Sequence, residues 1–324
     1  MDRRGFVGAV FGAVLSVPVA TFAQQQAPNR PRIGFLSSES ASNQSQRLDA
    51  LRAGLQELGY VDGRNLVIEV RWAEGKYERL PALATELVNL KVEAIVTSGI
   101  KATMAAKRAT VSIPIVMETG DAIAEGMVAS LARPGGNITG WTFFGPQLTA
   151  KRLELLRECI PSITAVAFLV NQTGQGSSLP VIRAAADRFK IRFRQFEVRS
   201  PQDFDSAFVA MVQDRCNALV VQGDTMFAVN AKAVADLAIE HRLPSAGIIE
   251  YPAAGGLIGY GADLIEGHRR LAPYLDKILK GAKPADLPVE QATTFDLAIN
   301  VKTAKALSVV VPQPLLLRAK SVIE

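Results

Sequence analysis

The sequence predicts an α/β protein built from two lobes, each containing a parallel sheet. Three observations indicate this class. Short apolar strands alternate with amphipathic helices along most of the chain, the connecting helices span about ten residues or more, and the alternation runs through two successive rounds. The 324 residues also exceed what one hydrophobic core usually holds. Two lobes of similar construction are therefore expected.

The first round of alternation ends near residue 143. Its predicted strands are residues 32–36, 65–72, 94–97, 113–117 and 138–143. The first connecting helix is indicated by Leu48, Leu51 and Leu55, which recur at helical spacing and form one apolar face. Further helices are predicted at residues 80–90, up to residue 109, and at 127–132. A helix between neighbouring strands is typical of a parallel sheet.

The second round opens with a predicted helix at residues 148–160. Predicted strands follow at residues 165–170, 191–198, 218–221 and 245–249, with helices that begin near residues 180, 201 and 229. The remaining chain contains a glycine-rich strand at 257–261, a long helix at 264–279, an extended segment at 288–291 and a helix at 301–307. Extra segments after two complete rounds indicate a chain that crosses back between the lobes.

The two rounds predict the domain division. We expect the first lobe to hold residues 31–142 plus 262–287. The second lobe is expected to hold residues 143–261 plus 288–324. The crossing segments near residues 140–147, 259–263 and 284–290 are expected to act as hinges between the lobes.

Residues 1–23 predict a signal peptide. Arg3 and Arg4 give a positive start, an apolar run continues to Phe22, and small residues precede a cleavage site after Ala23. The paired arginines also resemble a twin-arginine signal, so this route and the general secretory route both stay open. No cysteine follows the apolar run, so a lipid anchor of the bacterial lipoprotein type is not expected. We expect the mature chain in the periplasm, as a soluble protein.

The bulk composition narrows the possible partners. Lysines and arginines are scattered among acids and the formal net charge is only +5, so no nucleic-acid partner is expected. Two cysteines occur, Cys159 and Cys216, and two interpretations stay open for them. They are either buried apolar side chains or a disulfide formed in an oxidising compartment.

The residue types needed for catalysis are sparse. The chain has two histidines, His241 and His268, and neither has metal-ligand spacing to another histidine, cysteine or carboxylate. Both are interpreted as solvated surface residues. No nucleophile elbow and no Walker-type phosphate loop occurs. The sequence therefore predicts no catalytic residue, no metal and no cofactor, and the chain is not expected to be an enzyme.

One segment imitates a cofactor site. Gly174 and Gly176 follow a predicted strand and precede a helix, and Glu197 lies about twenty residues on, as in a dinucleotide fingerprint. Leu179 occupies the position of the third glycine. An exported dinucleotide-dependent oxidoreductase is therefore kept as an alternative function. A transcription factor with a sensor half is a further alternative, but the export signal and the lack of an N-terminal helix-turn-helix argue against it.

Small, polar and aromatic residues gather where the predicted strands end. In open parallel sheets, ligands bind outside the carboxyl ends of the strands. Hydroxyls and helix N-termini there favour an anionic group such as a carboxylate, and acids there favour an ammonium. Aromatic residues at the same ends are suited to wall a pocket. The candidate ligand-binding residues are Ser37, Ser38, Trp72, Ser98, Gly99, Thr119, Asp121, Phe143, Asn171, Asp224, Glu250 and Tyr260.

Three long segments carry a resemblance that covers the chain from about residue 32 to residue 324. They are Ala-Ser-Leu-Ala-Arg-Pro-Gly-Gly-Asn-Ile-Thr-Gly at 129–140, Gly-Gly-Leu-Ile-Gly-Tyr-Gly at 255–261, and the run from Asp276 to Gln291. On these motifs the chain resembles the ABC-transporter substrate-binding proteins grouped with the tryptophan/tyrosine-type periplasmic binding proteins.

The resemblance implies a type I periplasmic-binding-protein fold, with two Rossmann-like lobes joined by crossing strands. It implies no catalysis. Such proteins capture a small solute and deliver it to a membrane permease, so a small-molecule solute and an ABC permease are the expected partners of a monomeric chain. Ser37, Ser98 and Asp224 match positions that face the cleft. The segments 121–123 and 222–225 depart from the usual pattern, so the solute itself does not follow from the resemblance.

Overall fold

The computed structural model describes residues 30–143, 145–172 and 178–324. The predicted signal peptide and the alternative dinucleotide site at Gly174 and Gly176 lie outside these residues. Thirteen strands in the described chain form two sheets, with helices packed around them. Within the same residues, no helix combines the length and the apolar character needed to cross a membrane.

The first sheet is all parallel and has the order β11-β5-β4-β3-β1-β2. Its strands are β1 (Arg32–Ser37), β2 (Val67–Trp72), β3 (Ala94–Ser98), β4 (Ile115–Thr119), β5 (Ile138–Thr142) and β11 (Glu290–Gln291). Its helices are α1 (Ala41–Glu57), α2 (Leu80–Asn89), α3 (Ile100–Ala109), α9 (Leu264–Arg269) and α10 (Ala272–Leu279). The central strands β3, β4 and β5 are buried at every position, as expected when helices cover both faces of a parallel sheet.

The second sheet has the order β13-β12-β10-β9-β8-β6-β7, and only the β10–β12 pair is antiparallel. Its strands are β6 (Ala165–Asn171), β7 (Arg192–Val198), β8 (Ala218–Val221), β9 (Ser245–Gly247), β10 (Ile258–Gly261), β12 (Asp296–Asn300) and β13 (Ser321–Ile323). The remaining helices are α4 (Gly145–Cys159), α5 (Ser178–Arg188), α6 (Phe204–Gln213), α7 (Thr225–Val229), α8 (Ala231–Glu240), α11 (Val301–Ala306) and α12 (Gln313–Arg318).

Each sheet carries a hydrophobic core on both of its faces. In β1, Phe35 packs in one cluster and Leu36 in the other, because successive side chains of a strand point to opposite faces. In β6, Phe168 and Leu169 divide in the same way. The predicted α/β class with two parallel-sheet lobes is confirmed.

Two of the predicted helices differ from the structure. Residues 127–132 form bends and irregular structure rather than a helix, because the Ser130 hydroxyl accepts from the Arg133 N–H and donates to the Arg133 carbonyl. The long helix predicted at 264–279 is divided into α9 and α10, and Pro273 in the first turn of α10 has no N–H to continue a helix.

The extended segment near residue 290 lies in the first sheet, whereas the sequence analysis assigned it to the second lobe. Glu290 is paired in parallel with Trp141 of β5. This pairing satisfies backbone groups at the edge of β5 that would otherwise lack partners. The third crossing between the sheets is therefore at residues 292–295, after β11, and not at 284–290. The other two crossings follow β5 and β10.

The two cysteines are free and buried. Cys159 packs in the core on one face of the second sheet, with Leu153 and Phe168. Cys216 packs on the opposite face, with Phe208. The sheet lies between the two thiols, so no disulfide forms, and of the two interpretations the buried apolar one describes the structure.

Gly140 provides a test of the close packing between β4 and β5. Its φ is +135°, and a Cβ added there would overlap the backbone of Met117. We expect Gly140→Ala to lower the free energy of unfolding by about 3 kcal/mol or more, since overpacking and backbone strain act together. The measurement is the shift of the urea midpoint.

Gly135 is the matched control for this variant. Its φ is +66°, but no atom lies within 4 Å of the position of an added Cβ. Gly135→Ala should therefore cost only about 1 kcal/mol, from left-handed backbone conformation alone. Equal losses in the two variants would show that the approach of β4 is not the cause.

Candidate functional site

A cavity of about 220 Å³ lies between the carboxyl ends of the strands of the two sheets. The first lobe contributes the loops and helix starts after β1, β3 and β4, and the second lobe contributes those after β8 and β9. The start of α4 and the segment after β10, two of the three crossings, complete the wall. This is the position that a parallel-sheet protein offers to a ligand.

Six of the twelve candidate residues line this cavity. They are Ser98, Gly99, Asp121, Phe143, Asp224 and Glu250. The other six do not line it. They are Ser37, Ser38, Trp72, Thr119, Asn171 and Tyr260.

The six candidates outside the cavity have identifiable roles or positions. Asn171 donates through its amide to Asp224 over 3.1 Å, and the Tyr260 carbonyl accepts from Arg152, so both support lining residues. The Ser37 hydroxyl accepts from the Glu39 N–H.

The other three lie in the body of the first lobe. Trp72 is on the edge strand β2 and packs edge to face on Phe35. Ser38 and Thr119 are buried at the ends of β1 and β4.

Arg47 of α1 connects the two lobes. Its Nη1 lies 3.4 Å from Glu39 Oε1 in the same lobe, and its Nη2 lies 3.2 Å from Glu250 Oε1 in the other lobe. The residue is only 9% exposed. Burial alone would lower the pKa of the guanidinium, but the charges of Glu39, Glu250 and Glu118 outweigh it and raise that pKa.

Glu118 is a carboxyl group buried at the end of β4. It is 2% exposed and accepts a hydrogen bond from the Ser98 hydroxyl over 3.1 Å. Burial raises the pKa of Glu118 to about 7, against the opposing charge of Arg47. Burial likewise raises the pKa of Glu39. The wall of the cavity therefore contains a carboxyl group that changes charge near neutral pH.

The position of His268 differs from the one predicted from the sequence. It was expected on the surface, but it is fully buried, and its ring centroid lies 6.0 Å from that of Phe35. Its Nδ1 forms a hydrogen bond with the Leu264 carbonyl, and its Nε2 is 3.9 Å from Glu118 Oε2. Burial lowers the pKa of His268 to about 3, so the ring is neutral. The neighbouring charges on α9 suggested a solvated helix, but α9 packs against α1.

Tyr77 and Asp224 form a second contact between the lobes. The Tyr77 hydroxyl, from the first lobe, donates to Asp224 Oδ1 over 2.7 Å. The same carboxylate accepts from the Met226 N–H and so caps the N-terminus of α7. Burial and the charge of Asp224 raise the pKa of Tyr77, so the phenol stays protonated.

Arg152 is the other buried arginine of the cavity wall. It lies on α4, is 4% exposed, and donates through Nε to the Tyr260 carbonyl over 3.0 Å. Burial lowers the pKa of Arg152 to about 10, so the guanidinium is protonated at neutral pH.

The buried charges of this site were not predicted from the sequence; they are Glu39, Arg47, Glu118 and Arg152. Two of these residues could have been recognised because they interrupt an apolar pattern in the sequence. Glu118 interrupts an otherwise apolar strand, and Arg152 occupies the apolar face of α4, four residues after Leu148 and four before Leu156. A charge on a face that must be buried is costly, so such positions point to a function.

The arrangement is suited to binding. Among the residues that the structure describes, no group of three or more His, Cys, Asp or Glu side chains is placed to hold a metal ion. The described lining instead combines acids, two guanidinium groups, hydroxyls and Phe143 around one small cavity. Such a set binds a small solute with ionic groups.

Two α/β lobes with a charged cavity between them define a binding protein of the periplasmic type. A sequence model of the family described as ABC transporter substrate binding protein matches residues 35–323. The chain belongs to this family, as the sequence motifs indicated.

Relatives and solved structures agree with this family. A tyrosine-binding protein of Clostridioides difficile (strain R20291) is 24% identical over 257 residues, which cover 78% of this chain and 74% of that protein. The crystal structure of an ABC domain in complex with L-Trp, from Streptococcus pneumonia, is 26% identical. It covers 91% of this chain and 100% of that chain, with a TM-score of 0.84. A ligand-free, open substrate binding protein from Clostridium difficile is 22% identical, covers 90% and 99% of the two chains, and has a TM-score of 0.67.

The raised pKa of Glu118 predicts how stability depends on pH. The folded state disfavours the ionised carboxylate, so the contribution of Glu118 to stability is complete below pH 4.5 and is lost as the pH rises through about 7. Relative to wild type, Glu118→Gln should therefore gain up to about 3 kcal/mol between pH 4.5 and pH 8. Urea unfolding of both proteins across this range measures the difference.

Glu154 is the matched control for this measurement. Despite partial burial, Lys151 and Arg188 lower the pKa of this carboxyl. Glu154→Gln should thus become less stable relative to wild type as the pH rises, in the opposite direction to Glu118→Gln. A stability difference between Glu118→Gln and wild type that does not change with pH would contradict the raised pKa.

Proposed function

We propose that this chain is the exported solute receptor of an ABC importer, and that it captures an amino-acid-like or carboxylate-like solute between its lobes. The observation that carries the proposal is the cavity itself, whose charged wall comes from both lobes. A solute that contacts both walls stabilises the closed arrangement over the open one. The receptor releases the solute unchanged, without catalysis.

Two direct contacts support a closed arrangement of the lobes. The Arg47–Glu250 ion pair and the Tyr77–Asp224 hydrogen bond each join one lobe to the other. The better superposition on the L-Trp complex than on the ligand-free, open structure also supports it. In this proposal the three crossings after β5, β10 and β11 act as hinges, and they divide the chain into the two moving lobes.

The lining favours a zwitterion or a small carboxylate as solute. Asp121 supplies negative charge for an ammonium group. Phe143 supplies an apolar surface, and the volume of about 220 Å³ restricts the solute to a small molecule. The relatives named for tyrosine and bound to L-Trp support an amino acid.

The location and the membrane partner follow from the same proposal. The signal peptide predicted for residues 1–23 would deliver the chain to the periplasm, where a closed receptor meets an ABC permease. The family supports such a partner, because its members are substrate-binding components of ABC transporters.

A solute screen tests the proposal. We expect the melting temperature to rise with the concentration of at least one amino acid or small carboxylate, since a ligand at one hundred times its Kd adds about 2.7 kcal/mol of stability. NMR of the recovered solute should show it chemically unchanged. A flat response to every compound in the screen would contradict the proposed solute class, and conversion of a solute would contradict the receptor function.

Tyr77→Phe tests the closure mechanism. The variant removes the hydrogen bond to the Asp224 carboxylate, and a bond to a charged group contributes about 1.5–3 kcal/mol. We expect the affinity for the solute found in the screen to fall about tenfold or more. Small-angle X-ray scattering of the free variant should show a larger radius of gyration than wild type.

Tyr274→Phe is the control for closure. The Tyr274 hydroxyl donates to the Pro288 carbonyl inside the first lobe, over 2.9 Å, and does not reach the second lobe. This variant should lose some stability but keep the radius of gyration and the affinity of wild type. The closure mechanism would be wrong if both variants changed affinity equally.

A further inference from the structure

We propose that Arg152 is the anion-recognition residue of the cleft, and that the solute carries a carboxylate which pairs with its guanidinium. The proposal rests on the proposed function of solute capture and adds the group that selects the solute. Sequence analysis placed anion recognition on hydroxyls and helix N-termini, whereas the buried cation of α4 is a stronger partner for an anion.

The two buried arginines of the cavity wall differ in the partners of their guanidinium groups. Arg47 makes ion pairs with Glu39 and Glu250. Arg152 is buried even more completely, yet no carboxylate of the described residues lies within 4.0 Å of it. Its one hydrogen bond in the described chain is from Nε to the Tyr260 carbonyl. Glu250 stabilises this charge from beyond ion-pair distance. A buried charge without a directly paired carboxylate is still costly, so its retention points to a partner that arrives with the solute.

The guanidinium of Arg152 is held in one orientation. The bond from Nε to Tyr260 holds one edge of the group, which leaves Nη1 and Nη2 as a fork. Gly223 and Gly261 flank this fork. A Cβ added at Gly223 would lie 3.6 Å from Nη1, and a Cβ added at Gly261 would lie 3.8 Å from Nη2. Because the two glycines have no side chains, they leave the fork uncovered on the side of the cavity. Arg152, Gly223 and Gly261 all line this cavity.

Three acids of the cavity wall already have hydrogen-bond or ion-pair partners within the protein. Glu250 pairs with Arg47, Asp224 accepts from Tyr77 and Asn171, and Glu118 accepts from Ser98.

A carboxylate of the solute fits the fork in a bidentate manner, with one oxygen on each Nη. A solute that has an amine but no carboxylate would leave the buried guanidinium unpaired and would be rejected.

The test compares Arg152→Met with Arg157→Met, an exposed arginine on the same helix. Sodium acetate is the first probe, titrated against sodium chloride at equal ionic strength. We expect acetate to raise the melting temperature of wild type and of Arg157→Met, and to have no effect on Arg152→Met. Without any anion, Arg152→Met should melt at the same temperature as wild type or higher, because an unpaired buried charge has been removed.

Matched solutes form the second arm. L-Tyrosine and L-tryptophan are compared with tyramine and tryptamine, which lack the carboxylate. We expect the amines to bind wild type at least a hundredfold more weakly than the amino acids, and Arg152→Met to bind the amino acids more weakly by a similar factor. Arg152→Lys keeps the charge but lacks the fork, so a loss of about tenfold is expected for it.

The outcomes separate this inference from the proposed function. Acetate protection that depends on Arg152, with no amino acid bound, would support the inference and contradict the proposed amino acid. Amino acids that bind Arg152→Met as tightly as wild type would overturn the inference and leave the receptor function standing. A lower melting temperature of Arg152→Met with unchanged binding would show that Arg152 is structural. If Arg152→Met does not fold, wild-type affinity in Arg152→Lys overturns the inference.

Discussion

The guanidinium of Arg47 is the group on which the arrangement of the cleft depends. It is a buried cation that needs counter-charges, and it takes one from its own lobe, Glu39, and one from the other lobe, Glu250. Because Glu39 contacts only Nη1, Nη2 would lack a carboxylate without Glu250, and this second ion pair favours the approach of the second lobe. The same cation also opposes the raised pKa of Glu118, which results first from burial and then from the charges of Glu39 and Glu250. One residue thus connects lobe geometry with the electrostatics of the cavity wall.

Much of the fold could be predicted from the sequence, because strands buried on both faces and amphipathic helices leave distinct periodic patterns. The failures are local and have physical causes. Ser130 satisfies its neighbours' backbone groups in a turn, and this competes with helix formation in a way that apolar spacing does not reveal. The extended segment at 288–291 was predicted, but its place in the first lobe was not, because it depends on the unpaired edge that β5 offers in the assembled sheet.

The candidate site could be predicted in position but only in part in composition. The rule that ligands bind beyond the carboxyl ends of parallel strands led to Ser98, Asp121 and Asp224, which do line the cavity. It could not lead to Arg152, which lies about two turns inside α4 and lines the cavity from there. It also could not show that Asn171 faces a carboxylate instead of the cavity, because that depends on the loop after β8. Side-chain direction is decided by packing, and strand-end spacing carries no information about it.

The separate burial of Cys159 and Cys216 has a consequence for how the chain reaches its folded state. Burial raises the pKa of each thiol to about 11, so both remain protonated and are poor nucleophiles at neutral pH. An oxidising environment therefore finds little thiolate to attack, and the fold needs no oxidant or disulfide isomerase to reach its final state. The folded chain thus keeps both sulfurs as thiols under mildly oxidising and reducing conditions alike.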